Sequence, residues 1–427
     1  MLDVIGLGVT DSAQLSLASE QAIKHCDLII GSERQLKVVE SLLIEQQKIY
    51  LPPLSQLLSL LTDNSSKAIV VLASGDPLHY GIGRWLGKNI DNALLKFHPA
   101  VSSMQAVCHL LGYSMQDVEV VSLHGRPFHK IRSVLKANKP LLVLTDKNSQ
   151  PIALAQACFD AGFLDSTITV LEEIGYPEQK VSTFTVEQLL DKDAKNIHFE
   201  ALHVTMIEPL GDGSLLPEFP GFEDTLFITD GEKGRGLITK REVRLAILSL
   251  LQPQHSDVIW DVGAGCGSIA IELAYWQKNA NIFAIEHHSE RLACLSQNQE
   301  KFGVVENLTI INGRAPKALT ELPAANKVFI GGSDGELPTI LKIVWQQLPK
   351  NGVLVASAVT ENTKHLLQKF SEMLHDASET AVEVETLQLA ISKGKTLAGQ
   401  LLFKPNYPVT LYKLIKVDTT KHDPNYR

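Results

Sequence analysis

The sequence has 427 residues, 44% of them hydrophobic, which is enough for two or three separately cored domains. Its net charge of −9 is spread as −5 over residues 1–200 and −4 over the rest, so there is no basic half and nucleic acid is excluded as the main partner. No apolar run is long enough to span a bilayer, the Leu/Ser-rich stretch 54–61 included, and five scattered cysteines show neither CxxC nor metal spacing. The expectation is a cytoplasmic protein with reduced thiols, no metal and no membrane contact. Met1 to Gly6 enters a strand directly, with no basic leader or cleavage site.

In chain order, Val4 to Gly8 reads as a strand and glycine turn, Leu15 to Cys26 as a helix, and Asp27 to Ser32 as a second strand. Ala68 to Ala73 is a buried strand that runs into the turn Ser74-Gly75-Asp76-Pro77. Val101-Ser102-Ser103 is a loop before a helix. Val118 to Leu123 is a strand ending in His124-Gly125-Arg126, and Leu141 to Thr145, Thr167 to Leu171 and Leu202 to Ile207 add three more. Strands alternating with helices make the fold class α/β, and ligands of open α/β sheets bind at the strand-end loops. Two basic clusters stand out from the acidic background: Arg126, Lys130, Arg132, Lys136 and Lys139, and then Lys233, Arg235, Lys240, Arg241 and Arg244. They are either solvated helix faces or sites for an anionic small molecule.

Residues 208–224 hold three prolines and three glycines among polar residues, the composition of a linker. The expected division is 1–207, a linker at 208–221, and 222–427. Thr239 with Glu242 forms a capping-box pattern that opens a helix ended by Pro253. Strands follow at 257–262, 282–286, 308–312, 327–331 and 353–357. Alternating segments near 383–391, 399–403 and 409–413 are expected to form an antiparallel edge of the same sheet.

The stretch Asp261-Val262-Gly263-Ala264-Gly265-Cys266-Gly267-Ser268 lies between an apolar strand and a helix. Its glycines let the backbone approach a ligand, and the helix N-terminus offers free N–H groups. The spacing is G-x-G-x-G, with Ser268 at the sixth position where a dinucleotide fingerprint has glycine. That favours S-adenosylmethionine over NAD. Glu286, at the end of the next strand, is placed to accept both ribose hydroxyls. Gly331-Gly332 after an apolar run points to a close ligand approach. His287-His288 has no third ligand at suitable spacing and reads as a helix start. Asp76 is a turn former or part of a cofactor loop, and His124 is a satisfied side chain or a substrate contact.

Both halves resemble known families. Gly6-Leu7-Gly8, Leu72 to Gly81, Val101-Ser102-Ser103 and Ser122 to Arg126 make residues 1–207 similar to the tetrapyrrole methylases. Gly236 to Arg244, Val262 to Ser268, Phe329 to Ser333 and Ala356 to Thr360 make residues 222–427 similar to the decarboxylating precorrin methyltransferases of cobalamin biosynthesis. The resemblance implies a tetrapyrrole-methylase fold of two α/β subdomains, followed by a class I Rossmann-like methyltransferase with a seven-stranded sheet. It implies S-adenosylmethionine as cofactor, methylation of a precorrin at C5 and C15, loss of the C12 acetate carboxyl as CO₂, and a homo-oligomer. Whether the ring already holds cobalt stays open, as does a non-catalytic tetrapyrrole carrier. By the same resemblance the cofactor residues are Gly8, Ser74, Gly75, Asp76, Ser102 and Ser103 in the first half. In the second half they are Thr239, Gly263, Ala264, Gly265, Cys266, Gly267, Glu286, Ala315 and Gly331. His124, Arg126 and Lys240 are the candidates for the reaction itself, with the basic clusters holding the substrate's carboxylates. Val9 stands where the first family's loop continues with proline. Arg314 stands where many methyltransferases place an acidic residue for the adenine amine, so the Ala315 backbone would take that contact.

Overall fold

The computed structural model describes all residues except 10, 12, 14, 192–196, 212–215, 232–235, 237, 377–380 and 418–427. The chain divides into two compact units, Met1–Ser214 and Leu215–Arg427.

The first unit holds two five-stranded sheets. Strands β1 (Leu2–Gly6), β2 (Leu28–Gly31), β3 (Gln47–Tyr50), β4 (Ile69–Ala73) and β5 (Leu95–His98) form a parallel sheet in the order β3-β2-β4-β1-β5. The runs Leu-Ile-Ile-Gly and Ile-Val-Val-Leu-Ala are buried throughout, as a sheet covered on both faces requires. Strands β6 (Glu119–Ser122), β7 (Leu141–Leu144), β8 (Thr167–Glu172), β9 (Lys180–Thr185) and β10 (His203–Glu208) form the second sheet, in the order β6-β7-β10-β8-β9. Only its β6–β7 pair is parallel. Exposed β9 alternates, with Phe184 packing inward.

The second unit carries a seven-stranded sheet. Its strands are β11 (Val258–Val262), β12 (Asn281–Glu286), β13 (Leu308–Asn312), β14 (Lys327–Ile330), β15 (Val353–Ala358), β16 (Ala381–Leu389) and β19 (Val409–Val417). They run in the order β13-β12-β11-β14-β15-β19-β16. The first five are parallel, and β19 and β16 close the edge antiparallel. Strand order reverses between β11 and β14, the point at which a crevice opens at the carboxyl ends.

Two expectations need correction. The segment near 399–403 does not join this sheet. It is part of β18 (Gln400–Pro405), which pairs only with β17 (Ser392–Leu397) as a separate two-stranded ribbon. Alternation marks a strand but not its partner, and here an Ala398-Gly399 turn, both residues at positive φ, folds the ribbon on itself. The helix Arg241–Leu251 is capped by Lys240 without a side-chain bond, so Thr239 and Glu242 make no capping box. Asp224 serves instead, its Oδ1 accepting the Arg241 N–H at 3.0 Å. The boundary between the two units falls within the expected linker, and the described residues at its two ends are tied down. Pro209 and Leu210 accept hydrogen bonds from Asn138 and Asp165, while Phe222 is fully buried and stacks on Phe302 at 5.0 Å.

Arg244 explains how Gly221, Phe222, Asp224 and Thr239 are held. Its side chain is fully buried. Nε donates to Glu272 Oε1 at 2.5 Å, and Nη1 donates to Asp224 Oδ1 at 3.2 Å and to the Thr239 carbonyl at 2.6 Å. Nη2 donates to the Phe222 carbonyl, and the guanidinium lies over the Phe227 ring at 4.8 Å. Glu272, equally buried, also accepts from the Gly221 and Phe222 N–H groups and from Trp276 Nε1. Arg244→Met strands Glu272 as a buried charge, which costs about 3–5 kcal/mol. Chemical denaturation followed by tryptophan fluorescence should show that loss; a change below about 1 kcal/mol contradicts the assignment.

Candidate functional site

In the first unit the loops after β1 and β4 are joined backbone to backbone. Gly8 N–H donates to the Gly75 carbonyl at 3.3 Å, and Gly75 N–H donates to the Gly8 carbonyl at 3.1 Å. Gly75 has φ +62°, and a Cβ on Gly6 would sit 2.6 Å from the Gly75 carbonyl oxygen, so side chains are barred from this junction. Beside it lies a cleft of about 710 Å³ that is open to solvent. Gly8, Ser74, Gly75, Asp76, Ser102 and Ser103, scattered over 95 positions of sequence, all line it.

The side chains of Ser74, Asp76 and Ser102 are already engaged. The Asp76 carboxylate accepts from the Leu78, His79 and Ala100 N–H groups, so it shapes the loop as a turn former while facing the cleft. Ser102 caps the helix Ser103–Leu111 in a capping box with Gln105. Ser74 Oγ accepts from Arg34 Nη2 at 3.1 Å and Gln35 Nε2 at 3.0 Å. Arg34 and Gln35 are cleft residues that the sequence reading missed. Ser32 with Gln35 forms a capping box after β2, and that S-x-x-Q pattern was the available signal. Two reaction candidates are absent from this cleft. His124 is exposed and contacts the Thr145 carbonyl at 3.3 Å, and Arg126 lies 5.8 Å over the Tyr80 ring.

In the second unit a cleft of about 1260 Å³ opens at the carboxyl ends of β11, β12 and β14. Thr239, Gly263, Ala264, Gly265, Glu286, Ala315 and Gly331 line it, as does Lys240. Cys266 and Gly267 do not. Cys266 is buried beneath the loop, its carbonyl accepting from Asn298 Nδ2 at 2.9 Å. Gly267 has φ +89°, and a Cβ there would meet Leu295 Cδ1 at 2.1 Å, so that glycine serves helix packing. Gly263, at φ +73°, faces the Gly332 backbone, where a Cβ would meet the carbonyl oxygen at 2.6 Å. The glycine pair after β14 therefore lets two loops touch at the cleft floor.

Glu286 is buried. Its Oε2 accepts the Gly265 N–H at 2.9 Å, and its Oε1 accepts those of His287 at 2.8 Å and His288 at 2.9 Å. A carboxylate accepts about four bonds, so about one place is left for a ligand hydroxyl. Glu286, His287 and His288 bring ligand-type atoms within 4.8 Å of one another; the Glu286 oxygens accept these amides and His287 Nε2 is hydrogen-bonded to Asp334. Arg314 donates from Nη2 to the Asp334 carbonyl at 3.0 Å. The second basic cluster is neutralised where it is described: Arg244 by Glu272 and Asp224, Arg241 by Glu223, and Lys240 by Asp224 at 3.9 Å.

Asp261 was also missed as a cleft residue; the signal is a carboxylate inside the apolar strand Val-Ile-Trp-Asp-Val. Oδ2 accepts the Ala270 N–H at 3.0 Å, while Oδ1 has no partner among the described residues. Burial pushes its carboxyl up to about 7, with the Glu286 charge adding to the rise and the Ala270 N–H opposing it.

Two glycine-looped α/β units, each with a cleft at the ends of parallel strands, define a fusion of a tetrapyrrole methylase with a class I methyltransferase. Residues 1–190 match the Tetrapyrrole (Corrin/Porphyrin) Methylases and residues 227–416 match the Precorrin methyltransferase domain. A Sinorhizobium protein named precorrin-6Y C(5,15)-methyltransferase [decarboxylating] is 33% identical over 417 residues, 97% of this chain and 96% of its own length. A Mycobacterium tuberculosis protein of the same name is 28% identical over 97% of this chain and 100% of its own. A Pyrobaculum calidifontis protein named probable cobalt-precorrin-6B C(15)-methyltransferase (decarboxylating) is 32% identical over 198 residues, 45% of this chain and 96% of its own. The chain belongs to the family of decarboxylating precorrin-6Y C5,15-methyltransferases, and it is a methyltransferase.

The raised Asp261 carboxyl gives a pH signature. Below the unfolded value of about 3.9 both states are protonated. As pH rises to about 7 the unfolded state releases its proton while the folded state keeps it, so stability is lost across that window. Asp261→Asn removes this loss. The variant's melting temperature minus that of the parent should grow from pH 4 to 7 and then level; a difference independent of pH contradicts the assignment.

Proposed function

We propose that the chain methylates a precorrin at C5 and C15 with S-adenosylmethionine and removes the C12 acetate carboxyl as CO₂, within cobalamin biosynthesis. One observation carries the reading: each unit has its own glycine-walled cleft at the carboxyl ends of parallel strands, which fits two methyl transfers by one chain. The first unit would methylate C5; the second would methylate C15 and decarboxylate. The Pyrobaculum relative, named for C15 and decarboxylation, matches over 198 residues, 45% of this chain, about the length of one unit, which supports this division.

The second cleft fits the cofactor. The glycines bar side chains from its floor, and Glu286 and the backbone of Ala315 lie beside it for the ribose and the adenine. Bound S-adenosylmethionine supplies a methyl group on a cationic sulfonium. The residues' work is then positioning: holding an electron-rich ring carbon in line with that methyl and excluding water. No activated Ser or Cys nucleophile is needed. Asp261, held largely protonated below neutral pH, keeps the cleft floor from adding a second buried negative charge beside Glu286. In the first cleft the exposed Arg34 faces the space beside Ser74 and can pair with a substrate carboxylate.

The test is the mass of the product after incubation of the full chain with the precorrin and S-adenosylmethionine. The expected product has gained two methyl groups and lost one carboxyl. A product with one methyl, or with both methyls and every carboxyl retained, contradicts the reading.

A further inference from the structure

Among the described residues, the two strands of the 392–405 ribbon pair with each other and with no strand of the seven-stranded sheet. Both of its strands are exposed along their whole length, and the Asn406 N–H closes its base on the Ile391 carbonyl at 2.8 Å. It leaves β16 after Leu389 and returns to β19 at Val409. The register pairs Leu389 with Val409 and Thr410 with Ala358, the last residue of β15. The ribbon therefore rises from the carboxyl end of the sheet, the end where the cleft opens, and Ser357, Val359 and Val409 line that cleft.

Strand alternation sorts its side chains into two faces. Lys393 opposes Lys404, Lys395 opposes Leu402, and Leu397 opposes Gln400, so these six share one face. The other face has no charged side chain. The direction of the cationic face is fixed at its base. Lys393 Nζ pairs with Glu242 Oε1 at 2.9 Å, and Glu242 belongs to the helix whose first residues lie next to cleft-lining Lys240 and Val243. Lys395 and Lys404 are exposed and have no carboxylate partner among the described residues. With Arg241 and Arg244 taken by protein carboxylates, these two lysines are uncompensated cations on the cleft side of the unit.

We propose that this face of the ribbon, with Lys395 and Lys404 set around Leu397 and Leu402, is a docking surface for the substrate of the second cleft. The inference rests on the proposed function: a macrocycle with apolar faces and a rim of carboxylates matches two leucines bordered by lysines. Lys393 is the anchor that aims the surface, and Lys395 and Lys404 set which carboxylate pattern is accepted.

The experiment uses the full chain with Lys395→Gln and Lys404→Gln combined. The KM for the precorrin in C15 methylation should rise roughly tenfold, since each exposed ion pair adds a modest amount. The kcat, the affinity for adenosylhomocysteine and the mass in solution should stay unchanged, and the Lys→Arg pair should keep the parental KM. An unchanged KM overturns the proposal while leaving the proposed function standing. A raised KM accompanied by a changed mass also overturns it, by making the ribbon a contact between copies. A parent chain that transfers no methyl to the precorrin overturns the proposed function and this inference together.

Discussion

The second unit is organised by the buried pair of Arg244 and Glu272. Two charges at zero exposure are costly unless every hydrogen-bonding position is used. Here Arg244 reaches Glu272, Asp224 and the carbonyls of Thr239 and Phe222, while Glu272 takes two backbone N–H groups and an indole besides. The partners come from the entry segment and from the two helices flanking the first strand. Satisfying the pair therefore places Thr239 and Lys240 at the cleft wall. A hydrophobic pair would hold the segment as well, but without the directionality that sets where each residue lands.

The cleft floor follows a different rule, the exclusion of side chains. Gly263 against Gly332 and Gly6 against Gly75 bring loops together at distances that a single methyl would prevent. Such contacts leave backbone N–H groups and carbonyls as the floor, and Glu286 locks three of those N–H groups in place. For a reaction that asks mainly for alignment, a floor that cannot change rotamer is an advantage.

Much of this was legible in the sequence because the signals were local. Buried parallel strands read as unbroken apolar runs, and glycine turns after them mark strand-end loops; fifteen residues named for cofactor contact include thirteen that line the two clefts. What failed depended on partners distant in sequence. Arg244 read as a member of a basic cluster, because Glu272 lies 28 positions away and Asp224 20. Thr239 and Glu242 matched a cap pattern, but Asp224 had already taken the Arg241 N–H. Gly267 and Cys266 sat inside the right motif, yet one packs against Leu295 and the other lies below the loop. The strand near 399–403 was visible and its partner was not, since alternation carries no pairing information.

The central claim is that each unit holds its own cofactor cleft. Titration calorimetry of the full chain with adenosylhomocysteine measures this directly. The account predicts a stoichiometry near two, with one equivalent lost when Gly263→Ala forces a methyl against the Gly332 backbone. A stoichiometry of one in the unaltered chain contradicts it.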